Sequence, residues 1–493
     1  MPESAPRSAT SGPAPAAPPA SAEPEPGNRR WLILAVVGIA QLMVVLDATI
    51  VNIALPSAQR ALGFATTDRQ WVVTAYALAF GGLLIVGGRL SDLLGRKRTF
   101  VAGLAGFAAA SALGGAAPDF GALVAARAVQ GAFGALLAPS ALALLVTTFT
   151  GQRERGRALG IYTAIAGGGG AIGLILGGVL TEYLSWRWCL YVNVAFAALA
   201  LAGAIPLVRN QPRNPGARLD GPGSLLAAGG LAGIVYGFSQ AATSGWGGAS
   251  TVGAIAGGVV LLGAFVAVER RVAHPLVPLA IIANRTRGPA YLSALVAGIG
   301  LIGAFLLITY YLQDLLGFSP LRAGLAFLPF IAGVVVAANF VSNRGLERFG
   351  PKVVVPAGMI LAGAAAGWLT GLGVHGGYGT RVAPALVFLG LGTGAIVTTA
   401  FSLGPAGARP ADSGVAAALV NSSNQVGGSL GAALLNTIAA TAAASYLTHH
   451  RPRVSLAAAT VHGDVTAFTF LAILFGVGTV AAALLFPRLS RRP

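Results

Sequence analysis

The chain has 493 residues, 55% of them hydrophobic and only 10% charged, with a mean hydropathy of +0.75. A soluble domain carries about a quarter charged residues, so no water-soluble packing hides this much apolar surface and the chain reads as a polytopic membrane protein. Its net charge of +17 would suit an acidic partner, but most Lys and Arg fall in loops that a cytoplasmic N-terminus places inside; the charge sets topology, and no nucleic-acid partner is expected.

Residues 1–28 are rich in Pro, Ala and Ser and read as a disordered cytoplasmic tail. They are not a signal peptide, because the apolar run from Trp31 is too long and no small-residue cleavage site closes it. Apolar runs follow at 31–56, 70–91, 99–117, 120–149, 157–181 and 186–208, each long enough to cross a bilayer as a helix. A β-barrel would instead show segments of about 10 residues alternating in polarity. The basic connector Arg209–Asp220 precedes two runs at 222–241 and 250–270; six more lie at 288–316, 322–343, 352–373, 381–405, 413–445 and 464–487. The expected fold is all-α with fourteen transmembrane helices. An N-terminal six-helix half (29–208), a linker with two inserted helices (209–287) and a C-terminal six-helix half (288–487) precede a tail (488–493). The even count returns that Arg-rich tail to the cytoplasm. The single cysteine, Cys189, excludes an intrachain disulfide.

An internal repeat supports this division. GRLSDLLGRK (Gly88–Lys97) aligns with NRGLERFGPK (Asn343–Lys352), setting Asp92 on Glu347 and Gly95 on Gly350 at an offset of 255 (347 − 92, 350 − 95). Gly156, Gly169, Gly170 and Gly173 align with Gly414, Gly427, Gly428 and Gly431 at an offset of 258 (427 − 169). Both offsets skip eight runs, so two six-helix halves of like orientation flank an inserted pair, the parallel-repeat design of many transporters.

Two ionisable residues lie inside apolar runs. Asp47 interrupts the first and Arg127 the fourth, and a charge there is costly enough to mark a functional site by default. Counting from the outer ends puts both in the outer half of the bundle, roughly 13 and 10 Å deep. If they touch, the pair is a group able to exchange a proton as water access alternates. Gln130, Gly131 and Gly134 share the Arg127 face and are candidates for the same polar path. Asp119, Glu182, Asp314 and Asp464 read as span-edge acids, which leaves Asp47 as the one clearly intramembrane acid. His449, His450 and His462 lie in the loop between the last two runs, too loosely spaced for a metal site. The glycines Gly167–Gly170 lack the Lys-Ser/Thr of a phosphate loop. No nucleophile–base pair, metal cluster or cofactor loop is present in the sequence, so no enzyme activity and no cofactor are expected.

The motifs LDATIVNIALP (Leu46–Pro56), GRLSDLLGRKR (Gly88–Arg98) and RAVQGAFGALLAPS (Arg127–Ser140), with WRW (Trp186–Trp188) and GLAFLPF (Gly324–Phe330), are carried together. In them the chain resembles the fourteen-span drug:proton antiporter family of the major facilitator superfamily. The resemblance implies proton-coupled export of small organic compounds by alternating access, driven by the proton gradient, by a monomer in the cytoplasmic membrane. It implies proton coupling at Asp47 and Arg127, and a cytoplasmic latch in the loop of Gly88, Asp92, Gly95, Arg96 and Lys97. The fifth-span antiporter motif is carried by Gly173, Gly177 and Gly178, but Leu174 stands where that motif has Pro, so its kink is expected to be missing. Gln41, Asn52, Tyr76, Gln130, Tyr310, Tyr311, Asn421, Asn424 and Gln425 are candidates to line a substrate cavity, where aromatic rings suit amphipathic or cationic drugs. The alternatives are an exporter of one endogenous metabolite and a membrane sensor that moves nothing.

Overall fold

The computed structural model describes residues 27–149, 151–210, 220–272, 275–374, 376–408, 412–450 and 455–487. The expected tails, apart from the last residues of the first, and most of the 209–220 connector lie outside these residues. Six long helices come first: α1 (Gly27–Leu62), α2 (Arg69–Leu94), α3 (Arg96–Gly115), α4 (Phe120–Thr148), α5 (Gln152–Tyr183) and α6 (Trp188–Leu207). Then come α7 (Gly221–Ser244), α8 (Ala249–Glu269) and the short α9 (Leu279–Ile282). The remainder is α10 (Arg287–Tyr310), α11 (Pro320–Ala326), α12 (Leu328–Phe340), α13 (Leu346–Phe349), α14 (Pro351–Leu369), α15 (Ala383–Leu403), α16 (Ser413–His450) and α17 (Leu456–Leu485).

Twelve helices among the described residues are long and apolar enough to cross a membrane. Helices α3 and α5 are not among them. The first opens on Arg96, Lys97 and Arg98, and the second on Arg153, Glu154, Arg155 and Arg157 followed by glycines, so neither is apolar throughout. Several helices outrun the apolar stretches that announce them. At 36 residues, α1 is about 54 Å long against a hydrocarbon core of about 30 Å, so its ends project into the interfaces.

Starts and stops follow local chemistry. The Asp119 carboxylate accepts from the Ala122 amide at 2.8 Å to cap α4, Asp220 caps α7, and Ser319 and Ser455 cap α11 and α17. Between α2 and α3 the chain turns at Gly95, with φ +96°, and before α14 it turns at Gly350, with φ +72°. A side chain at either position would be strained in that region of backbone space.

Helices α1–α6 pack together, α1 on α5 and α6, α2 on α4, and α3 on α4 and α6. In the second group α10 packs on α16, α12 on α15, and α14 on α15 and α17. Small residues let these backbones approach closely where lipid supplies no hydrophobic drive. The groups meet along α2 and α16 and where α5 meets α11. Helices α7 and α8 pair with each other and reach the bundle through α7, on α2 and α16. Gln70 and Ser239 are hydrogen-bonded at 2.7 Å, and the Thr437 hydroxyl donates to the Phe238 carbonyl at 2.9 Å. The outer faces of this pair, such as Val259 and Val260, stay exposed.

Two expectations are corrected here. His449 and His450 form the last turn of α16 and His462 lies within α17, where His450 and His462 pack against the Tyr446 ring; these are helical residues, because α16 continues well past its apolar run. Asp464 is the ninth residue of α17 and is buried, since α17 begins before its own apolar run. Helices α7 and α8 carry buried acids at one end, Asp220 and Glu269, and the Glu269 carboxylate accepts from the Leu276 and Val277 amides.

Candidate functional site

Asp47 sits near the middle of α1 and Arg127 two turns into α4. The structure brings them together. The Arg127 guanidinium donates to Asp47 Oδ2 at 2.7 Å, and both residues are at most 1% exposed. Asp47 Oδ1 accepts from Gln130 Nε2 and from Asn193 Nδ2, each at 2.7 Å. Gln130 Nε2 also donates to the Ser111 hydroxyl at 2.7 Å, and its Oε1 accepts from Arg127 at 2.5 Å. Arg127 Nε donates to the Val72 carbonyl at 3.1 Å, and the guanidinium lies 4.3 Å from the centre of the Tyr76 ring. One carboxylate in α1 is thus held by α4 and α6, with α2 and α3 behind them. A buried charge pair survives only when its remaining hydrogen-bonding positions are filled, and here the neighbours fill them.

Sequence reading missed Asn193 and Ser111. Asn193 had a signal, because it is the one amide in the apolar run of α6 and polar groups at that depth need partners. Ser111 lies among alanines and carries no comparable mark. Gly131 and Gly134 line no polar path: a side chain there would strike the Tyr76 carbonyl or the Phe80 ring, so they are close-packing points between α4 and α2.

The remaining candidates scatter. Gln41 accepts from the Tyr162 hydroxyl at 2.5 Å, and Asn52 Nδ2 donates to the Ala48 carbonyl within α1. Asn424 donates to the Ala294 carbonyl on α10, Gln425 abuts Gly81 of α2, and Asn421 is half-buried on the same helix. Tyr311 turns into the second helix group and donates to the Gly373 carbonyl at 2.8 Å. Tyr310 lies under Arg69, whose guanidinium carbon is 4.4 Å from its ring centre.

That cation marks a junction between the two helix groups. Arg69 pairs with Asp314 at 2.7 Å and donates to Gln59. Beside it Gln313 Nε2 donates to the Ile53 carbonyl at 3.0 Å, and the Glu182 carboxylate accepts from the Leu321 amide at 2.9 Å. The three fifth-span glycines divide here. Gly173 and Gly177 face α1, whereas Gly178 faces α11: a Cβ on Gly178 would lie 2.6 Å from Leu321 Cα and 2.9 Å from the Pro320 carbonyl oxygen. Leu174, in the place of the motif Pro, is fully buried among residues of the second group, and α5 runs unbroken past it. The bundle is closed at this end.

In the loop of Gly88–Arg98, Lys97 Nζ donates to the Ile205 carbonyl at 2.7 Å and Arg89 to the Pro275 carbonyl at 3.2 Å. Asp92 is half-buried beside Gly95 and makes no hydrogen bond or ion pair among the described residues. Because Gly95 holds φ +96°, Gly95→Val should insert normally yet turn over several-fold more slowly, the β-branched residue being strained there. Transport by well-expressed Gly95→Val protein at the wild-type rate would show that the turn is not special.

A model of the Major Facilitator Superfamily matches residues 37–432. The chain is 50% identical over 457 residues to the puromycin resistance protein pur8 of Streptomyces alboniger, covering 92% of this chain and 90% of that one. It is 39% identical to the cephamycin export protein CmcT of Amycolatopsis lactamdurans, over 81% of this chain and 83% of the relative. It is also 34% identical to the lincomycin resistance protein of Streptomyces lincolnensis, over 94% and 92%. Among solved structures, a bacterial homologue of the human lysosomal transporter Spinster superimposes with a TM-score of 0.66 at 15% identity, over 93% of this chain and 97% of that one. That likeness is one of fold.

Proposed function

The chain belongs to the major facilitator superfamily, and from that premise we propose that it exports antibiotics or chemically similar small organic molecules across the cell membrane in exchange for protons. Relatives at 34–50% identity that are named for antibiotic resistance or export support the cargo class. The observation that carries the proton step is the Asp47 carboxylate, fully buried inside a span yet held by side chains that can let it go. A proton arriving on Asp47 cancels its attraction for Arg127. The guanidinium keeps its bond to the Val72 carbonyl and its place on the Tyr76 face, while α1 is released from α4 and α6. Loss of the proton to the other side restores the grip. Alternating exposure of one such group couples proton entry to the conformational cycle.

The chain crosses the membrane fourteen times in this reading, α3 and α5 adding to the twelve apolar helices, with both termini in the cytoplasm. The halves are 29–208 and 288–487, and the linker 209–287 carries α7 and α8. Two features support the repeat: the turns at Gly95 and Gly350 share positive φ, and Gly427 and Gly431 pack on α10 as Gly169 and Gly173 do on α1. Substrate passes between the halves, near Gln41, Asn52 and the Asn421–Gln425 face of α16. The protein works as a monomer and needs no cofactor beyond the proton gradient. Helices α7 and α8 stay outside the path, so cysteines at Val259 or Val260 should label equally with and without substrate. Strong substrate protection there would contradict a peripheral pair.

The deciding experiment is efflux of an antibiotic panel from cells stripped of their own pumps, with and without a proton uncoupler. Export should fall to background with uncoupler present; uncoupler-resistant export would overturn the proton reading. Several relatives carry the name of one compound, which favours a narrow panel profile over a broad one.

A further inference from the structure

Apart from the site described above, an open groove of about 620 Å³ lies where α10, α14 and α17 end on one side of the bundle. Its polar wall carries Arg285, just before α10, and Lys352, at the second position of α14. Among the described residues no acidic side chain lines it, and neither cation has an ion pair. The first turn of α14 holds no acid and its N-cap makes no side-chain bond, so Lys352 lies against the positive end of the helix with nothing to offset it. The apolar wall is formed by Leu292, Leu484 and Leu485, all of them well exposed. Cations therefore lie at the starts of two membrane-crossing helices, α10 and α14, and large aliphatic side chains lie along α10 and α17, a layout that matches a lipid headgroup above an acyl chain.

We propose that this groove binds one anionic glycerophospholipid, its phosphodiester on Arg285 and Lys352 and an acyl chain along Leu292, Leu484 and Leu485. A free phosphate would satisfy the cations but leave the leucines uncovered; a zwitterionic lipid would cover the leucines but bring its own cation to a site that already has two. The inference rests on the chain crossing a membrane and is independent of what it exports.

The test is photocrosslinking of purified full-length protein in detergent with a photoactivatable phosphatidylglycerol and, separately, a photoactivatable phosphatidylcholine carrying the same acyl chains. Phosphatidylglycerol should label peptides containing Leu292 and Leu484–Leu485 several-fold more than phosphatidylcholine does. In the double variant Arg285→Gln/Lys352→Gln the several-fold preference should vanish, the two lipids labelling equally, because the two cations that favour the anionic headgroup are gone. Arg285→Lys/Lys352→Arg should keep it, and so should a control double variant at exposed basic residues of the α8 end, Arg270→Gln/Arg271→Gln. Equal labelling of the wild-type protein by the two lipids, full labelling of the Gln variant, or displacement of the lipid by millimolar inorganic phosphate would each overturn the proposal. A Gln variant that loses labelling along with its monodisperse elution profile is replaced by the single variants Arg285→Gln and Lys352→Gln, each of which should lose part of the preference; no loss in either would count equally against the site.

Discussion

Asp47→Asn should abolish uphill efflux driven by a proton gradient, by roughly tenfold or more, while the protein still inserts and exchanges substrate downhill. The geometry explains why this variant is informative. Asn keeps the size of Asp and presents one oxygen to Arg127, with its amide nitrogen turned toward Gln130 and Asn193. Asn193 Oδ1 has no partner in the present arrangement, so turning that amide over lets it accept from the new nitrogen. The network then loses about one hydrogen bond, on the order of 1 kcal/mol, and the buried Arg127 cation loses its counter-charge. Removing one partner of a buried pair typically costs about 3–5 kcal/mol, so the protein level must be matched before rates are compared. What the variant lacks is the ability to gain or lose a proton. The measurement is substrate-induced proton movement in reconstituted vesicles. Wild-type coupling in the Asn variant would remove Asp47 from the mechanism and send the search to Asp464, buried in the third turn of α17.

Gly178→Val should jam the junction between the two helix groups. The atoms its side chain would meet are Leu321 Cα, the Pro320 carbonyl oxygen and the Leu321 amide nitrogen, at 2.6, 2.9 and 3.0 Å. These are backbone atoms of α11 and cannot rotate aside as a side chain can. Overpacking of this kind costs about 1–3 kcal/mol, and each 1.4 kcal/mol shifts a conformational equilibrium tenfold. The closed arrangement at this end, which also seats the Arg69–Asp314 pair, should therefore lose population by roughly five- to a hundredfold, and export should fall with it. Spin labels on Arg60 and Arg322, two exposed positions at this end, should report a longer separation in the variant. Gly160→Val, on the same helix with nothing within 4 Å of the added atom, is the control. A wild-type distance distribution in Gly178→Val would show that α5 and α11 tolerate separation without consequence.

The membrane class, the order of the helices and the unusual depth of Asp47 and Arg127 were legible in the residues, for reasons local to the chain. Long apolar runs can only be helices in a lipid environment, because each backbone group must be satisfied within its own segment. A charge inside such a run carries a cost visible without any structure. Even so, among the described residues twelve helices are long and apolar enough to cross a membrane, and α3 and α5, which open on charged residues, are not among them.

What only the tertiary structure decided is who meets whom. Asp47 contacts Arg127 80 residues away and Asn193 146 residues away, and no periodicity links positions so distant. Gly173, Gly177 and Gly178 look alike in sequence, yet two face α1 and the third faces α11. Leu174, which by the motif is merely a missing Pro, fills part of the core of the opposite helix group. Tyr310 and Tyr311 are adjacent in sequence, but one lies beneath Arg69 at the junction and the other is bonded to Gly373 inside the second group. A helix advances about 100° per residue, so neighbours in sequence address different partners, and which partner stands there is settled by the packing of the whole bundle.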